Sequence, residues 1–168
     1  MRVAVTGTPG TGKTTATDLV ETDLEVIHLN EIIEEAGFHE GRDEERGSLI
    51  ADMRALREWF GDRDDVLVES HLAHRLPVER VVVLRCHPDV LASRLRERGE
   101  NELKASENAE AEALDVILSE AVSAVGLENV YEIDTTDRTP GAVAAAIEAV
   151  LAGERDPSAG AVDFIDYL

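Results

Sequence analysis

One run near the amino terminus, Gly7-Thr8-Pro9-Gly10-Thr11-Gly12-Lys13-Thr14, constrains this chain more than any other feature. It fits the pattern G-x-x-x-x-G-K-[ST] at every fixed position. The segment before it, Arg2–Thr6 (RVAVT), reads as a short buried strand, and a helix is expected over 13–21. Glycines in such a turn allow positive φ and let main-chain amides approach phosphate oxygens. The amino end of the helix adds its dipole. Lys13 reaches the β- and γ-phosphates as a compact charge. Thr14 offers a hydroxyl to Mg²⁺, and Thr15 adds a bond to a neighbouring phosphate. The plainer reading, a glycine-rich strand-to-helix turn, is weighed against the full match and both flanks. The motif sets a phosphate site without naming a reaction.

The rest of the chain alternates strand and helix signals. Strands are expected at 25–29, Val66–Glu69, Arg80–Arg85 and 129–134. Helices are expected at 31–36, capped by Asn30 and stopped by Gly37, and at 48–60, with Leu49, Met53, Leu56 and Phe60 on one face. Others are expected from Pro88 to about 98, over 107–125 up to Gly126, and from Thr139-Pro140 to about 152. The stretches 41–47 and 99–106 read as polar connections. Residues 154–160 read as a linker to a short end, with Phe164, Ile165, Tyr167 and Leu168, that docks on the domain. Five strands alternating with helices imply an α/β fold, a five-stranded parallel sheet flanked by helices, with ligands at the carboxyl ends of its strands.

Composition narrows the partners. The 168 residues suit one domain. Asp and Glu total 36 against 16 Lys and Arg, a net charge of -20, and the only lysines are Lys13 and Lys104. Such a surface stays hydrated when salt screens its self-repulsion, so a halophile's protein is expected. Little direct nucleic-acid binding is expected, because a phosphate backbone calls for clustered basic residues. A basic protein partner is compatible. Cys86 is the single cysteine, so no internal disulfide forms, which fits a cytoplasmic location. No run is long and apolar enough for a membrane span, and no secretory leader is expected. Arg75, Arg80, Arg85, Arg94, Arg96, Arg98 and Lys104 lie close in sequence, and an anion is expected near them.

Neither N-K-x-D nor D-x-x-G occurs, which excludes the usual GTPase elements. A small phosphotransferase needs a second nucleotide site, a mobile cover and cations. The cover is expected near 94–104, where Arg94 and Arg98 sit on adjoining turns. The second site is expected in 28–48, where Arg42 and Arg46 can grip a monophosphate. The apolar strand Val66–Glu69 ends on a carboxylate, the layout of a Walker B strand. Glu69 can orient Mg²⁺ through a water, and His71 can position a water or a phosphate. His39, His74 and His87 are expected in surface or core roles, Trp59 and Phe60 in packing, and Cys86 in the core. No Cys/His cluster suggests zinc.

The segment 5–15 (VTGTPGTGKTT), with Val82-Val83-Leu84-Arg85, then 95–104 (LRERGENELK) and Glu107-Asn108, resembles the adenylate kinase isoenzyme 6 family. The R-G-x-N-E-x-K pattern is the specific part of the likeness. The resemblance covers the domain to about Leu151. It implies a P-loop NTPase fold of the NMP-kinase-like type: a kinase domain over 1–153, a monophosphate segment over 28–48, a lid over 97–107 and a tail over 154–168. It implies a broad-specificity nucleoside monophosphate kinase that uses ATP with Mg²⁺ on AMP or another NMP, and that also hydrolyses ATP. It further implies late maturation of the small ribosomal subunit, through a basic small-subunit ribosomal protein. Gly10, Gly12, Lys13, Thr14 and Thr15 would contact ATP, Arg98 would act from the lid, and Arg138 would lie near adenine. With Glu69 and His71, these form the candidate catalytic and metal set. One departure stands out: the family has Asp-x-His after its third strand, and this chain has Glu69-Ser70-His71. The extra methylene displaces the carboxylate by about one bond length. An ATP-driven assembly factor with incidental kinase activity, or a small P-loop kinase for another acceptor, is the competing expectation.

Overall fold

The computed structural model describes residues 1–45 and 47–168. Five parallel strands form the main sheet: β1 (Arg2–Thr6), β2 (Glu25–His28), β5 (Val66–Glu69), β6 (Arg80–Arg85) and β7 (Val130–Asp134). Their order is β2-β5-β1-β6-β7, so the connections that leave the neighbouring strands β1 and β5 run to opposite sides of the sheet. That divergence opens a crevice at the carboxyl ends of the central strands.

Side chains alternate across each strand and feed two cores. On one face Ala4, Val66, Val68, Val81 and Val83 pack with Leu56, Phe60 and Leu118. These come from α3 (Met53–Phe60) and α6 (Val116–Val125), while Leu29 and Ile33 of α2 (Leu29–Ala36) complete the layer. On the other face Val3, Val5, Leu67, Val82 and Leu84 meet Ala16 of α1 (Lys13–Thr17) and Val143, Ile147 and Val150 of α7 (Pro140–Leu151). A smaller cluster of Cys86, Leu91, Leu95 and Ala105 joins α4 (Pro88–Glu97) to α5 (Glu102–Ala113). No helix among the described residues is long and apolar enough to cross a membrane.

Several expected boundaries change. The helix expected over 13–21 ends at Thr17. Three of its five residues are threonines, and the Thr17 hydroxyl bonds back to Lys13 O and Thr14 O, which weakens continuation. The start of the connection expected at 41–47 and the first turn expected for the helix at 48–60 are instead antiparallel strands, β3 (His39–Asp43) paired with β4 (Ser48–Ala51). The helix starts only after Asp52, whose carboxylate accepts from Ala55 N at 3.1 Å. Asn30 does not cap α2; it lies inside that helix, and its side-chain oxygen accepts from the Ser70 hydroxyl at 2.8 Å.

The helix expected over 107–125 is two helices. Asn101 caps the first, accepting from Lys104 N, so it begins within the connection expected at 99–106. The break falls at Asp115, which takes φ 56 and sends its carboxylate to Arg85 at 2.6 Å. The tail docks, as its apolar end suggests. Gly160 N and Ala161 N both donate to Glu132 Oε1, and the ring of Phe164 stands edge-on to His87 at 5.5 Å.

Candidate functional site

The site is built around the exit of β1. Gly7, at φ +150, permits the first bend: a Cβ there would lie 2.6 Å from Leu84 O and 2.8 Å from Thr11 Oγ1. Gly10 and Gly12 take φ of +97 and +90, so the loop curls with left-handed residues that side chains avoid. Thr11 closes the curl, its hydroxyl donating to Thr8 O at 2.8 Å. Lys13 Nζ donates to the same carbonyl at 3.2 Å, which holds the ammonium group across the loop. The side chain is buried, and that burial lowers its pKa to about 8 against the opposing pull of Glu69.

Beside it lies a linked set of polar side chains. The Thr14 hydroxyl donates to Glu69 Oε1 at 2.9 Å, and His28 Nδ1 lies 2.8 Å from the same oxygen. His28 Nε2 lies 3.0 Å from Asp18 Oδ1. Burial works against a charged His28, but the Glu69 hydrogen bond and the nearby carboxylates outweigh it and raise the pKa. A hydroxyl and a buried carboxylate suit a hard cation such as Mg²⁺. His71 stands next to this set. Burial, then the charge of Lys13, lowers its pKa to about 3, so the imidazole is neutral around pH 7.

Among the described residues, three of the cavities that border the loop share lining there. The phosphate cavity, about 340 Å³, is lined by Gly12, Lys13, Thr14, Glu69, His71 and Arg98 among others. On one side a cavity of about 420 Å³ shares Gly10, Thr15 and Arg98 with it and adds Thr135, Arg138 and Val143. On the other side a cavity of about 270 Å³ shares Pro9, Asn30, His71 and Lys104 and adds Ile33, Arg42 and Leu49. Gly10, Gly12, Lys13, Thr14, Thr15, Glu69, His71, Arg98 and Arg138 therefore converge on one continuous crevice.

The expected arginine group does not converge. Arg94 is tied down: its guanidinium donates to Gly10 O at 3.3 Å and Thr135 O at 3.2 Å, bracing the loop from behind. Arg75 pairs with Glu120, Arg80 donates to Val150 O, and Arg96 pairs with Glu102. Arg98 and Lys104 do reach the phosphate cavity, and Glu100 stands between them, 3.9 Å from Arg98 and 3.1 Å from Lys104. Arg42 lines the third cavity and donates to Gly47 O. Arg46 lies outside the described residues. Asn101 Nδ2 donates to Glu45 O at 2.9 Å, joining the start of α5 to the hairpin across the crevice.

Three contributors had no specific role in the sequence reading. His28 was read only as the start of a segment; its paired position opposite Glu69 in the sheet register is a tertiary fact. Lys104 lines two of the three cavities, and its being one of two lysines in an acidic chain was an available signal. Arg85 is wholly buried and binds Glu132 at 2.8 Å, Asp115 at 2.6 Å and Glu112 at 3.3 Å. Glu112 in turn accepts from the Thr8 hydroxyl and from Cys86 N, so this buried network underpins the phosphate loop. Desolvation raises the Glu112 pKa despite Arg85.

Comparison with known proteins agrees with this architecture. Residues 3–115 match a family model described as an AAA domain. A protein of Natronomonas pharaonis is 65% identical over the whole of both chains, and one of Halobacterium salinarum is 62% identical, also over the whole of both. A relative from Methanothermobacter thermautotrophicus is 46% identical over 99% of this chain and 98% of its own. All three carry the name "Putative adenylate kinase". Among solved structures, a shikimate kinase from Bacteroides thetaiotaomicron superposes with a TM-score of 0.57 at 22% identity, covering 90% of this chain and 98% of that one, and shares the fold. The chain belongs to the AAA-domain family of P-loop proteins, in the archaeal group formed by these full-length relatives.

Proposed function

We propose that this protein is a nucleoside monophosphate kinase that passes the γ-phosphate of ATP to AMP, or another NMP, and yields two nucleoside diphosphates. The supporting observation is the phosphate cavity, which borders one cleft that ends at Arg138 and another that ends at Arg42. A donor in the first and an acceptor in the second would meet end to end over Lys13. The acceptor's phosphate oxygen attacks the γ-phosphorus, the bond to the β,γ-bridging oxygen breaks, and ADP leaves. Loop amides and Lys13 hold the β- and γ-phosphates of the donor. Arg98 and Lys104 face the group in transit and offset its charge once they leave Glu100. Arg138 flanks the donor base, and Arg42 meets the acceptor phosphate.

Thr14 and Glu69 are the residues that would hold the Mg²⁺ arriving with ATP, directly and through water. The ion, when bound, neutralises phosphate charge. Neutral His71 is suited to accept one hydrogen bond from the acceptor or a water. The names of the relatives favour this reading, and assignment to the isoenzyme 6 family belongs to the same proposal. A second reading, an ATPase assembly factor that meets a basic small-subunit ribosomal protein in the cytoplasm, draws on the net charge of -20. Initial rates of ATP loss in concentrated KCl, with and without AMP, test the choice. A rate that needs AMP supports the kinase, and a rate indifferent to AMP supports the second reading.

A further inference from the structure

His28 and Glu69 end adjacent parallel strands and are direct partners in the sheet register. Paired positions on neighbouring strands point to the same face, so the imidazole lies alongside the carboxylate. Among the described residues, both side-chain hydrogen bonds of Glu69, from the Thr14 hydroxyl and with His28 Nδ1, fall on Oε1. That leaves Oε2 for the phosphate cavity, which Glu69 lines. The far side of the ring is held as well, since Nε2 meets Asp18 just past the end of α1. Asp18, His28, Glu69 and Thr14 thus form a closed circuit that leaves α1, crosses two strand ends and returns to α1. A glutamate carries one more rotatable bond than the aspartate expected at this place, and without a lateral partner its oxygens would scatter over several rotamers.

We propose that His28 is a positioning residue that fixes which oxygen of Glu69 faces the Mg²⁺·nucleotide, offsetting the extra methylene of the glutamate. The inference rests on the kinase reading for the presence of Mg²⁺·ATP. Partners behind a metal-orienting group commonly change metal affinity by about 10- to 100-fold.

Two substitutions separate the ring's two contacts. In His28→Asn the amide nitrogen falls where Nδ1 stood and still meets Glu69. In His28→Gln it falls where Nε2 stood and meets only Asp18. The measurement is calorimetric binding of a non-hydrolysable ATP analogue, with and without Mg²⁺, in concentrated KCl, alongside melting temperature. The Mg²⁺-dependent gain in affinity should fall about 10-fold in the Gln variant and stay within about 3-fold of the parent in the Asn variant. Equal gains in both variants and the parent would overturn the proposal. So would a matched loss in both that follows melting temperature and leaves the ratio of the two affinities unchanged. Failure of the unaltered protein to bind the analogue under either condition would remove the kinase reading, and this inference with it.

Discussion

Lys13 sits where its charge is costly without a ligand, buried and held by a single carbonyl. A triphosphate reverses that balance, because an anion favours the protonated amine. With the free pKa at about 8, nucleotide binding should draw in a proton as pH rises above 8 and little at pH 6.5. Calorimetry in buffers of different ionisation enthalpy reads this uptake, and a value near zero at pH 8.5 would mean that Lys13 does not meet the phosphates. Lys13→Ala should keep the fold, since it removes a desolvated charge, and lower kcat by at least about 10²-fold. An unchanged kcat would take Lys13 out of the reaction. The Arg98 side chain is exposed and stands 3.9 Å from Glu100. Arg98→Ala should therefore slow the chemical step by about 10-fold or more, with a smaller loss of ATP affinity. Single-turnover rates and a binding titration separate the two effects.

Among the elements, those with local signals are legible in the sequence. The phosphate loop, the strands at Val66–Glu69 and Arg80–Arg85, and the helix opened by Thr139-Pro140 stand where sequence reasoning set them. Those governed by distant partners are not. Ser48-Leu49-Ile50-Ala51 has apolar spacing compatible with a helix, yet it pairs with His39–Asp43. The break at Asp115 follows from an ion pair with a buried arginine thirty residues away in sequence, which no periodicity records. The same limit hid His28 and the supporting role of Arg94, whose contacts depend on how the loop and β7 come together. Arg85 gives this scale its prediction. Arg85→Met leaves Glu112 and Glu132 buried without their cation and should cost about 3–5 kcal/mol in urea unfolding. A loss below about 1 kcal/mol would mean that the network does not hold the junction of α5 and α6 to β6.

Over the whole molecule, charge and crevice are separate consequences of one composition. The net charge of -20 repels itself at low ionic strength and is screened within about 3 Å at 1 M salt. The melting temperature should rise steadily from dilute buffer to concentrated KCl, and a flat profile would count against a halophilic surface. Against this acidic background, Lys13, Arg98, Arg138, Arg42 and Lys104 mark the crevice, which is where anionic substrates would collect. The arrangement of two clefts about one phosphate cavity makes a direct claim about the path of a phosphoryl group. With ATP labelled in its γ-phosphate, AMP and Mg²⁺ in concentrated KCl, the label should appear in the ADP formed from AMP, with little free phosphate. Label released wholly as inorganic phosphate, at a rate that AMP does not alter, would contradict it.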